Sequence, residues 1–220
     1  MVTPVVLRIV AKWTVFWLAV VGGLNYGLEP LGFDYENGYL LCSCWFLFFA
    51  GVCLYRYRVK ELLAHHARFH HQFLYIGALT ALALIIGFLI AENFPISPEK
   101  VFEIRSTHVL FPLFLYKTWI TKLADITFQQ SFIFALLKEL QRETQLSKKQ
   151  IVHVAGCSFA LLHLPLVVLL GVYGFYFIVP SVFAGFLFNW FIMNFRHGIF
   201  YSYALHLIFY VLMGIALRYY

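Results

Sequence analysis

The sequence predicts an all-α fold, a polytopic membrane helix bundle of seven or eight transmembrane helices, with residues 1–220 forming a single integral membrane domain. Three observations carry that expectation. Hydrophobic residues make up 62% of the chain and charged residues only 12%, where a soluble domain has about 45–50% and about 25%. Apolar runs of spanning length cover most of the sequence, and the mean hydropathy is +0.81. Lys and Arg gather at the ends of those runs, the pattern that orients membrane helices. A soluble globular protein, a disordered tail and a secreted disulfide scaffold are excluded by this balance. The net charge of +6 does not point to nucleic acid, because the basic residues form no stripe. A membrane barrel would show alternating ten-residue strands instead.

The spans follow in order. Residues 13–28 come first, preceded by Arg8 and Lys12. They lack a short apolar core with a small-residue cleavage site, so they read as a retained span rather than a signal peptide. Residues 38–55 and 73–91 are the second and third spans. Two shorter segments come next: 108–120, broken by Pro112 and Lys117, and 126–140, which carries Gln129 and Gln130. Three long spans, 151–173, 175–195 and 199–217, complete the set. The NFPISP stretch at 93–98 is a loop on its Pro content, and Ser147 is placed to cap a helix beginning near Lys148.

Charge in the loops sets the orientation. Residues 29–37 carry Glu29, Asp34 and Glu36 and no base, whereas 56–72 carry Arg56, Arg58, Lys60 and Arg68. The positive-inside rule therefore predicts a multi-pass protein of the cell inner or plasma membrane with a cytoplasmic N-terminus. Lys138, Arg142, Lys148 and Lys149 put the 138–149 loop inside as well. That requires an even number of crossings between the two basic loops, which holds if one of the two short segments is re-entrant or interfacial; if both cross, the charge rule fails once.

Cys42, Cys44, Cys53 and Cys157 form no CxxC pair and read as small packing residues. His65, His66, His70 and His71 include one pair at i, i+4, which is half a zinc site. With the surrounding Arg and Lys they read better as a cationic loop against anionic lipid. No cofactor is expected, with zinc as the minor alternative, and membrane lipids are the first expected partner.

Polar residues inside apolar spans are costly and are functional candidates. Here they are Gln129, Gln130, His153, His163, Asn189, Asn194 and His206. Any one of them alone is explained by interhelical hydrogen bonding. As a set they are more telling: three helices bring polar groups to membrane depth, and a bundle can converge them on one wet cavity. Phe159 and His163 share a helix face, as do His206 and Tyr210.

On these residues the chain resembles the CPBP (Abi) intramembrane proteases, which include the CAAX prenyl endopeptidases. That family carries EExxxR, FxxxH and HxxxN on three membrane helices. Phe159 to His163 matches the second motif, and the stretch from Gly185 through Arg196, Gly198 and Ser202 to His206 follows the last block. The resemblance covers about residues 108–217. Read onto Gln129-Gln130, the first motif has both glutamates replaced by Gln and its Arg by Phe134, and Tyr210 takes the place of the last Asn.

The resemblance implies an endopeptidase that activates water against a peptide bond of a membrane-anchored protein or peptide. His163, His206, Gln129 and Gln130 are the implied catalytic set, with Tyr210 and Asn189 supporting an oxyanion. An amide cannot take a proton from water as a carboxylate does, and loss of a general base costs about 10²–10⁴-fold. The base must then be a neutral imidazole, while Tyr210 can donate to an oxyanion. Glu139 lies on the opposite helix face from Gln130 and about 13.5 Å along the axis. With Glu143, Lys138 and Arg142 it reads as a solvated helix end. Two other readings stand beside the peptidase: a pseudoprotease that binds membrane peptides as an immunity or scaffold protein, and a small transporter, which predicts two similar halves.

Overall fold

A computed structural model of the chain describes residues 3–55, 67–107, 113–165, 167 and 171–219. Among the described residues there are eight α-helices and no strand. They are α1 (Pro4–Gly22), α2 (Tyr39–Tyr55), α3 (Ala67–Asn93), α4 (Pro98–Thr107), α5 (Tyr116–Glu143), α6 (Lys148–Leu162), α7 (Phe175–Asn194) and α8 (Gly198–Tyr219). Three stretches are long and apolar enough to cross a membrane: Pro4–Leu31, Leu74–Asn93 and Gly198–Arg218. Tyr39–Tyr55 and Ile178–Asn194 are shorter apolar helices.

The first helix begins earlier than its apolar run. Thr3 Oγ1 accepts from the Val6 amide, and Pro4 occupies the first turn, where a missing N–H costs nothing. The helix runs on through a π-helical turn, Gly23–Leu28, and a single 3-10 turn, Glu29–Leu31. It ends at Gly32, whose φ of 83° suits glycine.

The largest departure from expectation is α5. The segments 108–120 and 126–140 are not two elements: from Tyr116 to Glu143 the chain is one helix, while 108–112 lie outside the described residues. Its 28 residues span about 42 Å at the usual rise. Polarity hid it. Lys117, Lys122, Asp125 and the paired glutamines interrupt the apolar run, because this helix is enclosed by the other helices. It packs against α1, α2, α3, α6, α7 and α8, and most side chains from Trp119 to Leu140 are buried. The enclosing helices do the reverse, turning Leu82, Ile85, Phe88 and Leu89 of α3 and Ile208 and Leu212 of α8 outward.

Both ends of α5 are fastened. At its entry Leu113 and Phe114 adopt left-handed φ values of 50° and 57°, a strain of about 1–3 kcal/mol each. Burial holds them there. Phe114 packs edge-on against Trp119 with ring centroids 5.3 Å apart, and lies under the Arg218 guanidinium. Arg218 donates from Nε to the Leu113 carbonyl at 2.9 Å and from Nη1 to that of Phe94. Trp119 Nε1 donates to Ala83 O at 3.0 Å. At the far end Glu139 accepts from Lys12 Nζ and, at 2.9 Å, from Trp13 Nε1. The expectation of a solvated helix end thus fits Arg142 and Glu143, which are exposed and paired at 2.8 Å. It does not fit Glu139, which clamps α1 to α5.

Ser147 caps α6 as expected. Its hydroxyl accepts from the Gln150 amide, and Gln150 Oε1 accepts in return from the Ser147 amide at 2.9 Å, a capping box. The apolar run 151–173 is not one helix, however. The helix stops at Leu162 with His163 as its C-cap, because Pro165 removes an N–H and restricts Leu164. A 3-10 turn, Gly171–Gly174, then leads into α7. All four cysteines are free; Cys42 and Cys53 are buried, Cys44 and Cys157 exposed.

The α7–α8 turn leaves no room at Gly198. A Cβ there would stand 2.0 Å from the Phe191 carbonyl oxygen and 2.6 Å from the Ile192 Cα, and backbone atoms cannot rotate away. Gly198→Ala is expected to lower stability by at least about 1–3 kcal/mol, the usual range for overpacking. Gly51→Ala, with open space around it, should be neutral or slightly stabilising. Thermal unfolding of both variants in detergent measures the contrast.

Candidate functional site

The site is built outward from α5. Lys122, Asp125 and Gln129 follow one another at spacings of three and four, so they share one face of the helix. Lys122 Nζ donates to Asp125 Oδ2 at 2.8 Å, and Gln129 Nε2 donates to Asp125 Oδ1 at 2.9 Å. Tyr35, from the loop before α2, adds its hydroxyl to Oδ2 at 3.3 Å. The Lys122 ammonium lies 4.8 Å from the ring centre of Tyr210 and 5.3 Å from that of Tyr35. Both charged side chains are almost wholly buried. A buried ion pair persists only when its remaining hydrogen-bonding capacity is met. Here three donors meet the carboxylate and two aromatic faces meet the ammonium.

Gln130 points from the next face of α5 toward α8. Ser202 Oγ donates to its Oε1 at 2.6 Å, and its Nε2 donates to His206 Nδ1 at 3.1 Å. With Nδ1 accepting, the neutral His206 ring carries its proton on Nε2. The ring is held against Phe188 and Tyr210, at centroid distances of 5.0 and 5.4 Å.

His163 is fixed in the opposite sense. Its Nδ1 is 2.8 Å from the Phe159 carbonyl oxygen. A carbonyl only accepts, so Nδ1 bears the proton and Nε2 keeps a lone pair. The Phe159 ring lies beside the imidazole at 4.7 Å, tilted by 53°, so the FxxxH spacing supplies both the ring and the carbonyl that orient the histidine.

These elements enclose a cavity of about 340 Å³. Gln129, His163, His206, Tyr210 and Ser181 supply polar groups to its wall, the Ser181 hydroxyl donating to the Ile178 carbonyl; Phe159, Pro180, Ala184 and Leu187 are among the apolar lining. Because Gln129 Nε2 is committed to Asp125, its Oε1 is the atom left to accept within the cavity. One wall thus offers two acceptors, Gln129 Oε1 and His163 Nε2, and one imidazole donor, His206 Nε2–H. A site of this shape and polarity suits an amphiphilic ligand.

The structure therefore brings together four of the sequence-predicted site residues on one cavity, with Gln130 directly behind His206. Asn189 is fully buried on α7 but its amide makes no hydrogen bond to the described residues, and it is not part of the cavity wall. His153 and Asn194 are exposed and bond to backbone carbonyls of their own helices. His65 and His66 lie outside the described residues, as do the side chains of His70 and His71. Among the described residues no group of three or more His, Cys, Asp or Glu side chains is placed to hold a metal.

Three participants carry no role in the sequence analysis, Lys122, Asp125 and Tyr35, and a fourth, Ser202, stands there only within the motif block, with no role of its own. The first two fall in the gap between the two short segments 108–120 and 126–140. Their signal was the spacing 122, 125, 129, a charged and polar stripe at helical period running into Gln129. Tyr35 carries no comparable signal and Ser202 only its place in the motif block, since the tertiary fold alone brings them to α5. Compared with family models, curated proteins and solved structures, the chain matches none.

Removing one charge of the pair should cost far more than removing both. Asp125→Asn strands the Lys122 ammonium and is expected to lower stability by about 3–5 kcal/mol. The double variant Lys122→Met, Asp125→Leu should recover most of that loss. Unfolding in detergent with the two single variants and the double variant measures the cycle, and equal loss in all three would contradict the pairing.

Proposed function

We propose that the chain is an intramembrane endopeptidase of CPBP type, hydrolysing a membrane-anchored protein or peptide in the cavity between α5, α6, α7 and α8. The observation that carries this reading is the pair of imidazoles of opposite hydrogen-bonding character on one apolar cavity. His163 Nε2 takes a proton from water as general base, a role worth about 10²–10⁴-fold. Gln129 Oε1 orients that water. His206 Nε2–H, with the Tyr210 hydroxyl, donates to the oxyanion as the carbonyl becomes tetrahedral, and loss of one such donor costs about 10²–10³-fold. The proton held by His163 then passes to the departing amine.

The position of Asp125 supports CPBP membership better than the register first read. With Asp125 placed first, EExxxR becomes Asp125-Ile126-Thr127-Phe128-Gln129-Gln130. One carboxylate of the motif is then retained, and the arginine position falls on Gln130, the residue that holds His206.

The same reading makes the protein a multi-pass component of the inner or plasma membrane with seven crossings: α1, α2, α3, α5, α6, α7 and α8. The Lys12–Glu139 contact supports it, because the start of α1 and the end of α5 then share one face. A single α5 gives the even number of crossings between the basic loops that the charge rule requires. The N-terminus is cytoplasmic on this topology. Gln129 then lies about 21 Å from the cytoplasmic end of α5 and His206 about 12 Å into α8, both at membrane depth.

A pseudoprotease of the same fold is the second reading. It is favoured by the state of Asp125, which is neutralised by Lys122 and fully engaged by donors, so that no carboxylate faces the cavity. Protein termini, compared by mass spectrometry across membranes containing the intact chain, His163→Ala or neither, separate the two. New termini that appear only with the intact chain are expected. Their absence, with the protein folded and abundant, would replace the peptidase by a peptide-binding role.

A further inference from the structure

We propose that Ser202 is a positioning residue that selects the tautomer of His206 and so makes the cavity wall a receptor for a carbonyl oxygen. The geometry is a buried three-residue relay from α8 to α5 and back to α8. Ser202 and His206 sit four residues apart on α8, one turn, with Gln130 spanning the gap between them. All three are buried, with Ser202 fully so.

The direction of the relay is set at the serine end. An amide can present either its oxygen or its nitrogen to a hydroxyl. The Ser202–Gln130 distance of 2.6 Å belongs to O–H···O bonds, whereas N–H···O bonds are longer, about 2.7–3.2 Å. Ser202 therefore donates, Gln130 Oε1 accepts, and the amide nitrogen is turned to His206. An amide nitrogen only donates. His206 Nδ1 is thereby compelled to accept, and the proton of the neutral ring goes to Nε2. Were the amide reversed, Nδ1 would donate to the oxygen and Nε2 would hold a lone pair, giving the cavity two acceptor imidazoles. Such a pair suits a metal cation, whereas a Nε2–H donor beside an acceptor suits the carbonyl of an amide or ester. One hydroxyl, remote from the cavity, thus determines which class of ligand the cavity recognises.

This inference refines the donor role given to His206 above, yet its test needs no cleavage. Nitrogen-15 NMR of histidine-labelled protein in detergent reports which ring nitrogen is protonated, and the His206→Gln variant assigns the signal. The wild-type protein should show His206 protonated at Nε2 and bare at Nδ1. Ser202→Ala should lose that single form and shift both nitrogens toward averaged values, while Ser202→Thr should restore it. Gln130→Met, which keeps the side-chain length without an amide, should average the tautomers like Ser202→Ala and decides the matter if Ser202→Ala does not fold. Protonation at Nδ1 in the wild type, or an unchanged tautomer in Ser202→Ala or Gln130→Met, would overturn the proposal. A wild-type result as expected with no cleavage in cells leaves this inference standing and removes only the peptidase.

Discussion

The Lys122–Asp125 ion pair is the constraint from which the rest of the bundle follows. Two opposite charges in the first half of a long helix are costly to leave on an apolar outer surface, so α5 is enclosed. Six helices close around it, and the exposed apolar surface is carried by them instead. The pair then needs partners for every lone pair and proton it withdraws from water. Tyr35 and Gln129 satisfy the carboxylate, and Tyr210 and Tyr35 face the ammonium. Each of those residues is held in turn, and two of them, Gln129 and Tyr210, line the cavity.

The cavity is thus a consequence of how the charges are satisfied. Asp125 binds the amide nitrogen of Gln129 and so turns its oxygen inward. One residue further along α5, Gln130 does for His206 what Asp125 does for Gln129, fixing which atom is presented. The backbone carbonyl of Phe159 does the same for His163. Gln129, His163 and His206 on the cavity wall are thus each fixed in their hydrogen-bonding sense. Such preorganisation suits the proposed hydrolysis, because donors and acceptors then require no rearrangement as charge develops. On that proposal Asp125 acts through Gln129, and an imidazole is the group that takes the proton.

Much of the periphery was legible in the sequence because its helices are continuous apolar runs. The apolar runs located α2, α7 and α8 to within a few residues, and Ser147 announced the start of α6. The interior was less legible, for a physical reason. A helix surrounded by helices has no need to be apolar all round, so Lys122 and Asp125 broke the run that was being followed and split α5 into two. Pro165 ended α6 at His163, where an apolar run of spanning length had concealed the break. Of the site, the histidines and glutamines stood out as polar residues in apolar segments. Ser202 and Tyr35 did not, since a serine in a helix and a tyrosine in a loop become informative only when the fold sets them beside α5. Asn189 stood out equally and lies off the cavity, which shows that polarity at depth marks candidates without ranking them.

The central claim is that α5 carries a true ion pair in the protein interior. Difference infrared spectroscopy of the intact chain against Asp125→Asn, in detergent and at neutral pH, reads the state of that carboxyl group directly. The account predicts that the substitution removes a carboxylate stretching band, because Asp125 is ionised beside Lys122. Loss of a protonated carboxylic acid band instead would mean a neutral pair, and the constraint that encloses α5 and orients Gln129 would not be electrostatic.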